Sequence, residues 1–208
     1  MIEGIEAIIF DLGGVILNID YQRPIEAFKA LGAKEVDGMY SKQVQTALFD
    51  ELETGSISED DFWAGLSAYC PPNVTRVQLE AAWNSILLDF PLRRLQILQQ
   101  VQLHYSTYLL SNTNSIHERA FNALLQQTVG YPSLAVFFDK VYMSHRVGLR
   151  KPDLAIFELV LRENRLTPQK TLFIDDSPQH IAAAQALGIQ TIHLTDGMTL
   201  EETVFRPK

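Results

Sequence analysis

The chain has 208 residues, 47% of them apolar and 20% charged, the balance of an ordinary globular protein. That length suits one sizeable domain, alone or with a smaller insert. Its formal charge of −8 argues against a general nucleic-acid binder, which needs a basic surface to release counterions. The single cysteine, Cys70, cannot close an internal disulfide, so nothing depends on an oxidising compartment. The apolar run Ala7-Ile8-Ile9-Phe10 is far too short to span a membrane. Acidic Glu3 and Glu6 precede it where a signal peptide would be basic, so the expected address is the cytoplasm. There is no low-complexity tract and no repeat at a fixed period.

Five short segments read as buried strands, being apolar or β-branched and bounded by polar turns. They are Glu6–Phe10, Thr107–Ser111, Lys140–Ser144, Thr171–Ile174 and Gln190–Leu194. The first is followed by a different kind of sequence, from Asn18 to Asp89, with little strand character. Its periodicity predicts four helices over Pro24–Leu31, Ser41–Glu53, Glu59–Tyr69 and Arg76–Leu87. Ser58-x-x-Asp61 and Thr75-x-x-Gln78 would cap the last two. Trp63 and Trp83 fall at helical spacing with other apolar residues and read as core of this block.

Beyond the second strand, Ser115-x-x-Glu118 predicts a capping box for a helix ending before Gly130. Pro152-Asp153 opens another, with Ile156, Leu159 and Val160 on one face. Ser177-Pro178 reads as N-cap and first residue of a helix to Leu187, with Gly188 past its end. Alternation of strand and helix predicts an α/β fold: a Rossmann-like, doubly wound parallel sheet of five strands. Residues 1–17 and 90–208 would form this core, and residues 18–89 an inserted helical-bundle cap.

Ligands of open parallel sheets bind outside the carboxyl ends of the strands. Asp11-Leu12-Gly13-Gly14 follows the first strand and Ser111-Asn112-Thr113 the second. Gly148 and Lys151-Pro152 lie past the third, and Asp175-Asp176 follows the fourth. Singly, each has a plainer reading as a turn, a solvated loop or acids at a helix N-terminus. Together they place three carboxylates, a hydroxyl and an ammonium at one sheet edge. Asp11 could attack phosphorus to give an aspartyl-phosphate. A phosphate dianion repels that carboxylate, and Mg2+ held by Asp11 and Asp176 would offset the repulsion. Lys151, the Ser111 hydroxyl and the N–H groups of the turn at Leu12-Gly13-Gly14 would bind phosphoryl oxygens.

These four stretches resemble the haloacid dehalogenase (HAD) superfamily. Ile8-Ile9-Phe10-Asp11-Leu12-Gly13-Gly14-Val15, Leu109-Leu110-Ser111-Asn112, Ser144-x-x-x-Gly148-x-x-Lys151-Pro152 and Phe173-Ile174-Asp175-Asp176-Ser177 are similar to its four motifs in order and spacing. The resemblance implies a phosphohydrolase with Asp11 as nucleophile, and Ser111 and Lys151 as phosphate ligands beside Asn112. It also implies metal ligation by Asp176, by the Gly13 carbonyl, and by Asp175 either directly or through water. A helical cap after the first strand belongs to the same resemblance. The nearest subgroup carries Asp-Leu-Gly-Asn/Gly-Val in its first motif and includes α-D-glucose-1-phosphate phosphatase-like enzymes. Glu53-x-Gly55-x-Ile57-Ser58 is similar to a cap segment of that subgroup.

The family pattern is broken at Gly13, where most of its phosphatases carry a second aspartate as general acid and base. The loss should slow turnover without abolishing nucleophilic attack, since such help is worth about 10²–10⁴-fold. His180 stands where the fourth motif often continues with Asn or Asp; it reads as a helix-surface histidine, or else as a group orienting water or carrying a proton. The expected substrate is a small phosphorylated metabolite such as a sugar phosphate, with Asp20, Tyr21, Arg23 and Glu53 as candidate readers. Two alternatives remain open at this point. One is a phosphate-ligand-binding protein with little turnover, favoured by Gly13; the other is a dehalogenase-type hydrolase, disfavoured by Asp175-Asp176. Monomer and homodimer are both compatible with the sequence.

Overall fold

Ala7–Phe10 forms β1 with all four side chains buried, as a strand covered on both faces requires. In the computed structural model, which describes residues 2–34, 47–195 and 198–200, four further strands run parallel to it. These are β2 (Ser106–Ser111), β3 (Lys140–Met143), β4 (Thr171–Asp175) and β5 (Gln190–His193). Each ends within a residue of its sequence expectation. The sheet order is β3-β2-β1-β4-β5, so the chain reverses direction across the sheet at β1. Register pairs Phe10 with Leu109 on one side and with Ile174 on the other. The ends of β1, β2 and β4 therefore lie within two residues of one level, and the loops that follow them meet.

Nine helices accompany the strands among the described residues. Between β1 and β2 come α1 (Gln22–Ala30), α2 (Ala47–Glu53), α3 (Glu59–Ser67), α4 (Arg76–Asn84) and α5 (Leu92–Gln102). After β2 come α6 (Ser115–Val129), α7 (Ser144–Val147), α8 (Leu154–Asn164) and α9 (Pro178–Ala186). The sheet is doubly wound. Ile8 and Phe10 pack with Leu95, Leu98 and Val101 of α5 and Phe121 of α6. Ala7 and Ile9 face the other way, onto Ile156 and Phe157 of α8 and Ala184 of α9.

Helices α1 to α4 enclose a separate apolar cluster that includes Phe28, Phe49, Phe62, Trp63 and Trp83. Both tryptophans are buried there, as their spacing predicted. The two chain crossings that join this block to the sheet bond to each other. Asn18 N–H donates to Asp89 O at 2.9 Å, Leu88 N–H to Asn18 O at 3.0 Å, and Asp20 N–H to Ile86 O at 3.0 Å.

Several local expectations need correction. The N-cap of α6 is Asn114, whose side chain accepts from His117 N–H at 2.9 Å. Ser115, expected in that role, donates instead to Glu59 across the seam between α6 and α3. Pro152 does not open α8: Asp153 caps it by accepting from Ala155 N–H, and Leu154 is its first residue. Ser177 sits at the N-cap of α9 before Pro178, but its side chain makes no capping bond. The caps at Ser58 and Thr75 form as expected, the second as a full capping box. Helix α5 was not anticipated, although Leu95, Leu98 and Val101 give it a three-residue apolar period behind Pro91. Of the helix expected over Ser41–Glu53, residues 41–46 lie outside the described residues.

Candidate active site

Asp11 leaves β1 as the first residue beyond the strand, anchored by its N–H to Ile174 O at 2.9 Å. At the same edge β4 ends on Asp175, which no solvent reaches. Between them rises Lys151, also fully buried, its Nζ 2.7 Å from Asp11 Oδ1 and 2.7 Å from Asp175 Oδ2. A lysine in such a place stays charged only if paired. Burial works against its charge, but Asp11 and Asp175 together raise its pKa.

The loops after β2 and β3 are bonded into one unit. Asn112 Nδ2 donates to Lys151 O at 2.8 Å, and its Oδ1 accepts from Lys151 N–H at 2.9 Å. The Ser144 hydroxyl accepts from Thr113 N–H and donates to Thr113 O, each at 2.9 Å. Asn112, expected to hold phosphate, lines the pocket, and its side-chain amide is engaged with the main chain of Lys151, which it positions. Ser111, at the end of β2, is buried and lines the pocket together with Asp11 and Lys151.

The acidic side of the site is graded. Asp11, Asp175 and Asp176 each offer an oxygen within 4.8 Å of the others. These hard, anionic donors suit a magnesium-sized cation. Asp175 is the most committed of the three. Besides Lys151, it accepts from Ser177 N–H at 2.7 Å and has His180 Nδ1 at 3.0 Å from both oxygens. Asp176 is half-buried and lines the open pocket, which Asp175 does not. Asp176 thus faces the open space of the site and Asp175 the protein behind it. Gly14 makes room for Asp176: its φ is +75°, and a Cβ there would overlap the Asp176 carboxylate.

Burial pushes the Asp11 carboxyl up to about 7; Lys151 opposes this, while Asp175 and Asp176 reinforce it. Burial would raise Asp175 too, but Lys151 and His180 outweigh it and hold that carboxyl below the usual carboxylate range. Three carboxylates and one ammonium leave a surplus of negative charge, which a divalent cation would balance. His180 is not a helix-surface residue, contrary to the first of its two readings. It lines the pocket against Asp175, and burial followed by the charge of Lys151 lowers its pKa.

Of the four candidate substrate readers, the structure brings Tyr21 and Glu53 to the pocket. Asp20 and Arg23 pair with each other at an exposed position, 3.8 Å apart. Arg150 and His117 also line the pocket and were missed. Adjacency to Lys151 was the available signal for Arg150; His117 had none, since only the fold carries α6 to Trp83.

An aspartate at a strand end, a buried lysine that bridges it to Asp175, and the neighbouring Asp176 thus meet at one edge of the sheet. Residues 5–188 match the family of haloacid dehalogenase-like hydrolases. This chain belongs to that family. It is 34% identical over 193 residues to D-ribitol-5-phosphate phosphatase of Bacteroides thetaiotaomicron, with 93% of each chain covered. It is 26% identical over 198 residues to a sesquiterpene phosphatase of Aspergillus oryzae, covering 93% of this chain and 91% of that one. Among solved structures, it is similar to a HAD-family enzyme of B. thetaiotaomicron, an aspartate-to-alanine variant in complex with magnesium and inorganic phosphate. The TM-score is 0.90 at 32% identity, covering 95% of this chain and 98% of the other.

Proposed function

We propose that this protein is a magnesium-dependent phosphatase that hydrolyses a small phosphorylated metabolite, of the sugar or sugar-alcohol phosphate kind, through an aspartyl-phosphate on Asp11. The observation that carries the reading is the Lys151 ammonium held 2.7 Å from both Asp11 and Asp175. That pairing opposes the burial that raises the Asp11 carboxyl and sets a positive charge beside the oxygens of an incoming phosphate. The phosphatase relatives, and the neighbouring structure that holds magnesium with phosphate, support the same chemistry.

Asp11 Oδ2 is the oxygen left to attack phosphorus, because Oδ1 is bonded to Lys151. Ser111 and Lys151 bind the phosphoryl oxygens, with the N–H groups of Leu12 and Gly13 at the turn. Asp11, Asp176 and the Gly13 carbonyl hold the metal, and Asp175 supports it from behind while fixing Lys151. When bound, Mg2+ supplies Lewis-acid charge neutralisation at the transferring phosphoryl group. Residues 18–89 act as a cap over this edge and exclude bulk water. A dehalogenase attacking carbon would have no need of the Asp175-Asp176 pair.

Phosphate release from a panel of phosphorylated metabolites tests the reading, with and without Mg2+ and beside Asp11→Asn. Turnover that requires both the metal and Asp11 is expected. Equal release by wild type and Asp11→Asn would leave a phosphate-binding protein as the better description.

A further inference from the structure

A buried carboxylate facing a phosphate site needs a reason, since it repels the group the site is built to hold. Glu53, the last residue of α2, is such a group: its side chain is only 8% exposed and lines the pocket that contains Asp11. Arg150 Nη2 lies 2.9 Å from Glu53 Oε2, and Arg150 Nη1 reaches Asp50 one turn earlier on α2. The contact is held in place by close main-chain packing. Gly55, at φ +68°, lies so near the His145 carbonyl that a Cβ would overlap it.

The charge count sets what this corner can accept. One guanidinium faces two carboxylates, so the cluster is net negative and disfavours a second phosphate or a carboxylate on the substrate. It offers carboxylate acceptors and guanidinium donors side by side, a match for neighbouring hydroxyl groups. Tyr21 adds a phenol to the same pocket, kept protonated by burial and by nearby Asp176, Asp11 and Glu53. An apolar leaving group would strip water from these charges and return nothing.

We propose that Glu53, with Arg150 and Tyr21, is the specificity element of the site, selecting an uncharged polyhydroxylated leaving group and rejecting apolar and doubly anionic esters. This rests on the phosphatase reading above and adds the residues that choose the substrate. It also separates this chain from the sesquiterpene phosphatase among its relatives.

The test compares kcat/KM with Mg2+ for a pentitol phosphate, n-pentyl phosphate, a pentose bisphosphate and para-nitrophenyl phosphate. Wild type should prefer the pentitol ester by at least about tenfold over the pentyl ester and the bisphosphate, a modest demand on a site built to bond hydroxyls. Glu53→Gln should cut the pentitol-to-pentyl ratio by at least about tenfold and improve relative use of the bisphosphate. A wild type indifferent to the hydroxyls overturns the proposal, as does a ratio that survives Glu53→Gln. If that variant fails to fold, the wild-type ratios and Tyr21→Phe decide. Absence of Asp11-dependent turnover on every ester, the aryl one included, would instead sink the phosphatase reading itself.

Discussion

The Lys151 ammonium lies 2.7 Å from the Asp175 carboxylate, and neither side chain is exposed to solvent. Removing one partner of such a pair costs about 3–5 kcal/mol, because the other charge stays buried and uncompensated. Lys151→Met should therefore lower Tm as well as abolish turnover, by roughly 6–20 °C for a chain of this size. Mg2+ should return part of the loss by neutralising Asp11 and Asp176. Thermal unfolding with and without Mg2+ measures this; an unchanged Tm in the metal-free variant would show that the pair does not hold the site together.

The pH dependence of stability should carry a mark of Asp11. Its carboxyl is raised by burial from 3.8 to about 7 in the folded protein, so folding favours the protonated form. The resulting stabilisation is complete below about pH 4 and is lost as pH rises towards 7. Asp11→Asn, which mimics the neutral acid, should not lose it. In metal-free buffer the Tm of the variant should overtake that of wild type between pH 4 and 7, and Mg2+ should narrow the gap. Parallel curves would remove Asp11 as the source.

Gly14 and Asp176 make a second test of the acidic edge. Gly14→Ala would set a Cβ against the Asp176 carboxylate and force a non-glycine residue to φ +75°. Asp176 must then move. Weaker Mg2+ binding by calorimetry is expected, with a fall in kcat/KM at limiting metal that high Mg2+ partly reverses. Unchanged affinity would place the metal away from Asp176.

Much of this site was legible because strand ends are legible. Short apolar runs bounded by polar turns located β1, β2 and β4 to within a residue, and parallel register then sets Asp11 level with Asp175 and one residue short of Ser111. What sequence could not supply was partnership across the fold. Nothing in the sequence around Asn112 shows that both ends of its amide bond the main chain of Lys151. Ser115 reads as a cap until Asn114 takes that role and Glu59 arrives from α3. Glu53 and Arg150 are 97 positions apart in the chain, and no local pattern joins them. Helix α5 was missed for the opposite reason: its apolar period was present, but polar Gln and Arg residues diluted it.

His117 joins α6 to the helical block. Its ring stacks on Trp83 with centroids 4.5 Å apart, and its Nε2 lies 3.3 Å from Trp83 O. Burial lowers its pKa from 6.5 to about 4, against a small opposing pull from the Trp83 carbonyl. A depressed histidine contributes stability that is full above about pH 6.5 and lost as pH falls towards 4. In a Trp63→Phe background, Trp83 emission of the folded protein should change as pH falls through about 4. His117→Phe, which keeps a ring but cannot take a proton, should flatten the response; an unaltered titration would move its origin elsewhere.

Ile19 explains why restoring an acid at Gly13 should not work alone. A Cβ on Gly13 would come 2.8 Å from Ile19 Cδ1, and Ile19 itself packs against the apolar clusters of both the sheet and the helical block. It also bridges to Leu87 where the two crossings pair. Gly13→Asp must therefore shift the end of the Ile19 side chain, against its packing in both clusters, before its carboxyl can serve a leaving group. The single variant should be slower than wild type on alkyl phosphates. Gly13→Asp with Ile19→Ala should recover and exceed it, because a placed general acid is worth about 10²–10⁴-fold and a poor leaving group needs it most. On para-nitrophenyl phosphate, whose leaving group departs without a proton, the double variant should show little gain. Equal gains on both esters would mean that the substitution opens the pocket and supplies no acid.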